Sequence, residues 1–378
     1  MKKNKVVILG VTGSIGKTAL RVLRAFPERF ELVGFSYHTN FELAAKIQKE
    51  FNVKYIVCTS DISEKERLNW TELHCNVLPD TEELADVDYD KILIAVIGSI
   101  GVRPCHKAIL KGKQVLLANK ESLVMAGSIL TADAKQNGAI ILPVDSEHNS
   151  IYRLINTNVE YRKIKITASG GALRDFDIDE IKNATIEDVL KHPTWSMGAK
   201  ITVDSASMVN KALEIIEAHH LFGIDYENLG AVVHPQSFIH AMLQDNDGTW
   251  FFHAYRPDMV YSVAHCLFYP DKPPLIEHRA ESEDIPDIGF SAIEPKKYPA
   301  YYIGLEAGKI GGSYPAVFNA ANEVAVEAFL EKRISFHEIS EYIERILEKS
   351  VAVTFANDLN GLFEADQWAR SLFVKTVK

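Results

Sequence analysis

Three carboxylates carry the strongest chemical signal in the sequence: Asp145, Glu147 and Glu214. Asp145-Ser146-Glu147 follows the apolar run 139–144, at the place where open α/β sheets bind their ligands. Two acids two residues apart point the same way from an extended segment. The competing reading is a solvated loop with an N-cap, since helix N-termini attract acids. Glu214 ends the stretch 200–214, which reads as a strand entering a helix through a serine-rich turn. Ser207, Asn210, Lys211 and Glu214 recur at spacings of three and four, so they share one helical face. Hydroxyl, amide, ammonium and carboxylate together suit a phosphosugar at one end and a metal at the other. An ordinary solvated helix face is the alternative. All-oxygen ligation suits Mg²⁺ or Mn²⁺. The 13 histidines are scattered, and the adjacent His219 and His220 project from different sides of a helix, which argues against zinc.

A second site lies near the start of the chain. Gly10-Val11-Thr12-Gly13-Ser14-Ile15-Gly16 follows the apolar run Val6-Val7-Ile8-Leu9 and opens a helix. Such glycines let the backbone approach a pyrophosphate, and the helix N-terminus supplies N–H groups. The spacing is GxxGxxG rather than GxGxxG, and a purely structural turn is the alternative. An NAD site places an acid at the end of the second strand. Here that place reads Ser36-Tyr37-His38-Thr39-Asn40, with no acid, which favours NADP. A third feature is His192-Pro193-Thr194-Trp195-Ser196-Met197-Gly198. A Trp and a Met on a loop bounded by Pro and Gly suit a lid that excludes water; packing of Trp195 into the core is the other reading.

The elements that must hold these residues can be read from the apolar pattern. Runs at 6–9, 31–35, 55–57, 91–96 and 114–117 alternate with helical stretches, the first at about 15–26. That predicts a Rossmann-like parallel sheet covered on both faces, over residues 1–144. An α/β catalytic and metal-binding domain is expected over 145–271, with Asn246-Asp247-Gly248 turning a hairpin between runs 232–243 and 249–256. Residues 272–298 read as a surface linker rich in Pro, Glu and Asp. A C-terminal helical domain fills 299–378, with helices at 300–309, 316–332, 336–349 and about 362–374.

Composition narrows the class. The 378 residues are 47% hydrophobic and 24% charged, and the net charge of −10 argues against bulk nucleic-acid binding. Four cysteines without metal spacing read as free thiols in a reducing compartment. No apolar run reaches about 18 residues, and the N-terminus reads as a strand rather than a signal peptide, so a cytoplasmic protein is expected.

Taken together, TGSIG (12–16), LLANKESLV (116–124), PVDSEHNSI (143–151), ASGGALR (168–174), the stretch 192–222, VVHPQSFIHAM (232–242), PDM (257–259) and NAANEVAVEAFL (319–330) closely resemble the 1-deoxy-D-xylulose 5-phosphate reductoisomerases of the non-mevalonate isoprenoid pathway. The resemblance covers nearly the whole chain. It implies rearrangement and reduction of 1-deoxy-D-xylulose 5-phosphate to 2-C-methyl-D-erythritol 4-phosphate, with NADPH and Mg²⁺ or Mn²⁺. A homodimer is expected as well, with the C-terminal helices either supporting it or covering the catalytic domain. Position by position, the resemblance implies metal ligation by Asp145, Glu147 and Glu214. It implies substrate binding by Lys120, Ser146, Glu147, Ser169, His192, Ser205, Asn210, Lys211 and Glu214, with Ser169, Ser205, Asn210 and Lys211 on the phosphate. Thr12, Gly13, Ser14, Ile15, Asn119, Glu121 and Gly198 match cofactor contacts, and Ser36, Tyr37 and His38 occupy the 2′-phosphate turn. Trp195 and Met197 match a mobile flap; His240 and Met259 match pocket-lining residues. Lys120, Glu147, His192, Trp195, Met197 and Glu214 form the implied catalytic set. Three positions depart from the family pattern: the Ser36-Tyr37-His38 turn, Ala212 in place of a common glycine, and Val260 in place of a frequent arginine. Two other classes remain: a metal-free NADP-dependent semialdehyde or hydroxy-acid dehydrogenase, which a chelator would not affect, and a dinucleotide-binding sensor without turnover.

Overall fold

The computed structural model describes residues 2–61, 63, 70, 72–156, 160–195, 197–274 and 285–377. In chain order its elements are β1 (Asn4–Leu9), α1 (Ser14–Ala25), β2 (Phe30–Tyr37), α2 (Phe41–Phe51), β3 (Tyr55–Cys58), β4 (Asn76–Val77), α3 (Thr81–Leu84), β5 (Lys91–Ile94), α4 (Val102–Leu110), β6 (Gln114–Leu117), α5 (Lys120–Asn137), β7 (Ile140–Pro143) and α6 (Ser146–Ile155). There follow β8 (Tyr161–Ala168), α7 (Ile178–Lys182), α8 (Ile186–Val189), α9 (Ala199–Ala206), α10 (Val209–Phe222), β9 (Leu229–Val233), β10 (Ile239–Asp245), β11 (Trp250–Ala254), α11 (Val260–Phe268), α12 (Pro299–Ile310), α13 (Tyr314–Leu330), α14 (Glu338–Ser350) and α15 (Leu359–Thr376). Among the described residues no helix is long and apolar enough to cross a membrane.

Two compact units divide the chain. The first comprises Met1–Ser122, Leu130–Asn149 and Asp258–Glu281; the second comprises Leu123–Ile129, Ser150–Pro257 and Ser282–Lys378. The division follows packing rather than chain order. Phe268 of α11 takes the rings of Phe26 and Phe30 edge-on, 5.1 Å between centroids in each case, and this carries the segment after Asp258 into the first unit. The four-segment division expected from the sequence is one of roles.

The first unit is a seven-stranded sheet in the order β4-β3-β2-β1-β5-β6-β7. Every neighbouring pair is parallel, as continuous apolar strands predict. Val6, Val7, Ile8 and Leu9 are fully buried, and so are Ile92, Leu93 and Ile94 beside them. Strand order reverses between β1 and β5, which opens a ligand crevice at their carboxyl ends.

The second unit has a four-stranded sheet, β11-β10-β8-β9, with β8 parallel to β9 and antiparallel to β10. The expected hairpin joins β10 to β11 around Asp245–Thr249. The four C-terminal helices form within a few residues of the expected bounds and pack in one core with Val203, Leu213 and Ile216. On α10, Ile216 belongs to that core, while Ile215 packs with Ile164, Ile166 and Leu243 of the sheet. A helix buried on both sides must be apolar nearly all round, and the few polar residues on α10 are correspondingly costly unless partnered. Ala212, the departure from the family pattern, sits where a Cβ on Gly304 would come within 2.6 Å of its own Cβ. Gly304 on α12 makes the room that the alanine needs.

One expectation is corrected. Residues 200–206 are helical, not a strand, so Ser205 and Ser207 lie at the end of one helix and in the turn before the next. Ile201, Thr202 and Val203 are β-branched and mimic a strand locally, but burial of Thr202, Val203 and Asp204 against other helices outweighs that preference. Part of the expected linker, 275–284, lies outside the described residues.

Candidate functional site

The glycine turn is built as a dinucleotide loop requires. Gly10 has φ +85, and a Cβ there would lie 2.5 Å from the Ala95 carbonyl oxygen on the neighbouring strand connection. A Cβ on Gly16 would meet the Gly10 carbonyl at 2.4 Å. Only glycine permits either approach. Gly13 is the N-cap of α1 and no side chain caps that end, which leaves the helix terminus fit for a pyrophosphate. Ser36 Oγ accepts from the Gly10 N–H at 2.9 Å, and its carbonyl accepts from Val11 at 2.9 Å. Ser36 therefore fixes the turn from beneath. Tyr37 is also buried, and its hydroxyl accepts from Trp70 Nε1 at 3.1 Å. Of the three residues at the end of β2, only His38 is exposed, with Nδ1 3.1 Å from Thr59 Oγ1.

On the same carboxyl edge, Asn119 caps α5. Its amide donates to the carbonyls of Val96 and Gly98, 2.9 Å each, and to Glu121 Oε2 at 3.1 Å, while Oδ1 accepts from the Ser122 N–H at 2.9 Å. Asn119 thus ties the connection after β5 to that after β6. Next to it, Lys120 Nζ lies 2.9 Å from Asp145 Oδ2. Burial pushes the Asp145 carboxyl up, but Lys120 and His148 outweigh it and hold the group well below the usual carboxylate range. Asp145 is therefore a fixed anion. Ser146 and Glu147 form the first turn of α6 rather than an extended segment; the Glu147 N–H donates to Asp145 Oδ1 at 3.3 Å and Ser146 Oγ donates to Glu147 Oε2. Two carboxylates thus stand together at one strand end, with Lys120 against one of them. Hard oxygen donors of this kind fit a divalent cation such as Mg²⁺. Met259 lies at the N-cap of α11 in this unit.

The second unit gathers the hydroxyl and imidazole groups. The turn after β8 carries two consecutive left-handed glycines, Gly170 (φ +87) and Gly171 (φ +69). A Cβ on Gly171 would lie 2.6 Å from the Ser205 carbonyl oxygen, so the turn packs directly against the end of α9. That approach brings Ser169 and Ser205 to one histidine. His192 Nε2 is 3.0 Å from Ser169 Oγ and 3.2 Å from Ser205 Oγ. Its Nδ1 accepts the backbone N–H groups of Thr194 (3.2 Å) and Trp195 (2.9 Å). A nitrogen that accepts two N–H groups carries no proton, so the proton sits on Nε2 and points at the two serines. Burial, and then the charge of Arg174, lower the His192 pKa and favour that neutral form.

Further along, α10 presents Asn210, Lys211 and Glu214 one turn apart. Lys211 Nζ is 2.5 Å from Glu214 Oε2, and Asn210 Nδ2 donates to Glu214 Oε1. Lys211 and Glu214 are both buried, so the pair is shielded from water and from salt. Gly198 is the exposed N-cap of α9. Trp195 and Met197 are half-buried on the loop before it, neither packed in the core nor fully exposed. His240 is buried, stacked on Tyr255 at 4.0 Å, with Nε2 3.1 Å from the Tyr255 carbonyl.

Arg174 is a site residue that residue types alone did not single out. Its Nη1 donates to the Ser169 carbonyl at 3.2 Å and it pairs with Asp175 at 2.8 Å. Its place five residues after the serine in ASGGALR was the available signal.

Family comparison gives a consistent result. Residues 6–127 match 1-deoxy-D-xylulose 5-phosphate reductoisomerase, residues 141–222 its C-terminal domain, and residues 256–372 the DXP reductoisomerase C-terminal domain. A 1-deoxy-D-xylulose 5-phosphate reductoisomerase of Leptospira interrogans is 41% identical over 372 residues, which cover 97% of this chain and 95% of that protein. One from Clostridium perfringens is 41% identical over 368 residues, 94% and 96% of the two chains. Among solved structures, a DOX-P reductoisomerase in complex with NADPH, fosmidomycin and magnesium superposes with a TM-score of 0.93 at 31% identity, covering 99% of this chain and 98% of that one. The Zymomonas mobilis enzyme in complex with NADPH gives 0.90 at 34% identity, with both chains fully covered.

Proposed function

We propose, from the premise that the chain belongs to the 1-deoxy-D-xylulose 5-phosphate reductoisomerase family, that it converts 1-deoxy-D-xylulose 5-phosphate to 2-C-methyl-D-erythritol 4-phosphate with NADPH and Mg²⁺ or Mn²⁺. The observation that carries this reading is the orientation of His192, whose Nε2–H faces Ser169 and Ser205 while Nδ1 is held by two backbone N–H groups. A donor cluster of that kind suits a phosphate. A metal-free dehydrogenase sharing the dinucleotide fold has no use for it, nor for two carboxylates beside Lys120.

In this reading the segments divide by role: 1–144 bind NADPH, 145–271 carry the metal and catalytic residues, 272–298 link, and 299–378 form the helical support. Thr12, Gly13, Ser14 and Ile15 hold the pyrophosphate, Asn119, Glu121 and Gly198 the rest of the dinucleotide, and of the turn Ser36-Tyr37-His38 the exposed His38 meets the 2′-phosphate. Ser36 supports the glycine turn from beneath, and Tyr37 is held by Trp70. Asp145, Glu147 and Glu214 ligate one cation. When bound, that cation polarises the ketone and lowers the pKa of the neighbouring hydroxyl, while NADPH supplies the hydride. The chain's own groups do the rest. Lys120 balances Asp145 and reaches the substrate beside Ser146 and Glu147. Ser169, His192, Ser205, Asn210 and Lys211 grip the phosphate, remote from the reacting carbons, and so orient them. Trp195 and Met197 close over the sugar and exclude water; His240 and Met259 line the pocket.

A homodimer is part of the proposal. Its support is the outer strand β11, where Phe251 and Phe252 are exposed on a sheet edge able to pair with another chain. A cytoplasmic location is proposed as well, supported by four free cysteines. The deciding experiment follows NADPH oxidation with the phosphosugar, with Mg²⁺ or Mn²⁺ and then with a chelator. Turnover that stops with the chelator and returns with metal is expected. Turnover indifferent to the chelator would overturn the metal assignment, and none with this sugar would overturn the substrate.

A further inference from the structure

Asp204 is a buried carboxylate to which the mechanism above gives no task. It lies on α9, only 1% exposed, directly before Ser205. Its Oδ1 accepts from Asn322 Nδ2 of α13 at 2.8 Å, and its Oδ2 is 2.9 Å from Lys200 Nζ, one turn earlier. Asn322 is itself fully buried. A carboxylate is costly in such a place, and an apolar residue would dock α9 more simply. Helix stability does not account for the pair either. Lys200 stands at the N-terminal end of α9, where the dipole disfavours a cation, and Lys before Asp at this spacing is the weaker order.

The surroundings suggest what the arrangement holds. α9 ends at Ala206, and after one turn α10 starts from Met208, a non-glycine residue with φ 62. That junction sets Ser205 against His192 and sets the register of Asn210, Lys211 and Glu214 on α10. The Asp204 backbone carbonyl accepts from Ser207 Oγ at 3.3 Å, and Ser207 Oγ accepts from the Val209 N–H at 3.4 Å. Asp204 therefore touches both the anchor on α13 and the turn itself. At the other end of α9, Lys200 lies two residues past Gly198, where the flap loop stops.

We infer that Asp204, with Asn322 and Lys200, is a positioning residue that holds the α9–α10 junction so that Ser205 and His192 meet the substrate phosphate in register. The inference rests on the reading of Ser205 as a phosphate ligand. Its test compares Asp204→Asn, Asn322→Ala, the exchange Asp204→Asn/Asn322→Asp, Ser205→Ala, and Val326→Ala as a control in the buried face of α13. Each is measured for KM of the phosphosugar, KM of NADPH, inhibition by inorganic phosphate, and Tm. Asp204→Asn and Asn322→Ala should raise the phosphosugar KM and the phosphate inhibition constant about tenfold or more, with NADPH KM unchanged. The exchange should recover part of that loss. Val326→Ala should lower Tm without the KM change. If Asp204→Asn and Asn322→Ala lower Tm and leave the phosphosugar KM alone, Asp204 only stabilises the fold and the inference is wrong; should Asp204→Asn not fold, the Asn322→Ala result decides by itself. If instead Ser205→Ala leaves that KM unchanged, the phosphate assignment has failed.

Discussion

At the scale of single residues, the partners of a buried side chain decide what it can do, because burial alone disfavours a charge. Glu214 is 1% exposed and accepts from both Asn210 and Lys211. A neutral amide at this position keeps the size and one acceptor but loses the anion a cation needs. Glu214→Gln should therefore leave the fold intact, weaken metal activation by at least the ~10–100-fold that loss of an outer-shell partner costs, and lower kcat with it. Titration of activity against Mg²⁺ and Mn²⁺ checks this; an unchanged metal requirement would remove Glu214 from the ligand set. The residue scale is also where sequence reading was least complete. Ser36 and Tyr37 sit in the place expected for cofactor contacts, yet both are buried, and nothing in their type announced that. Asp204 and Asn322 acquire their roles from each other, 118 residues apart in the chain, whereas Arg174 meets Ser169 only five residues away.

Among the elements, the glycine turn and the flap loop make different demands. Gly10 combines a left-handed φ with a 2.5 Å approach to Ala95, so Gly10→Ala must displace β1 from the connection beyond β5. A loss above about 2 kcal/mol is expected, with weaker NADPH binding. Gly13 has φ −75 and its nearest Cβ neighbour would be 3.3 Å away, so Gly13→Ala should stay within about 1 kcal/mol of wild type. Urea unfolding of the two variants measures the contrast; equal losses would mean that the close approach is not what glycine provides. On the flap, Trp195 is half-buried; on the proposal that it closes over the sugar, Trp195→Ala should raise the phosphosugar KM and cut kcat more than it changes NADPH KM. A drop in Tm with kinetics intact would point to packing instead. Elements were legible wherever one period ran without competition: the buried strands of the parallel sheet, the turn into α1, the β10–β11 hairpin and the last four helices. Residues 200–206 misled because Ile-Thr-Val alternates like a strand, while the contacts that make it helical come from α13 more than a hundred residues later.

For the whole molecule, the acidic limb of the stability curve can be derived from histidines that the chemistry does not use. Burial, helped by neighbouring His219, lowers the His220 pKa to about 4; burial and then Arg153 do the same to His253. Both lie in the second unit, His220 against Gly127, where a Cβ would lie 2.3 Å from its ring. An unfolded histidine takes up its proton near pH 6.5. Above that value both states are neutral and the groups have no effect. As pH falls from about 6.5 towards about 4, the unfolded chain binds protons that the folded chain refuses, so stability declines until the folded rings also protonate. For His220 alone the loss between pH 7 and pH 5 is roughly 2 kcal/mol. Three of the four tryptophans, Trp195, Trp250 and Trp368, belong to the second unit, so their emission during urea unfolding reports mainly on it. The wild-type midpoint should fall between pH 7 and pH 5, and that of His220→Asn should fall distinctly less. The variant also loses packing against Gly127, which lowers its midpoint at both pH values alike, so the slope with pH is the quantity to compare. Parallel slopes in the two proteins would mean that the folded state accepts the proton on His220 as readily as the unfolded chain does.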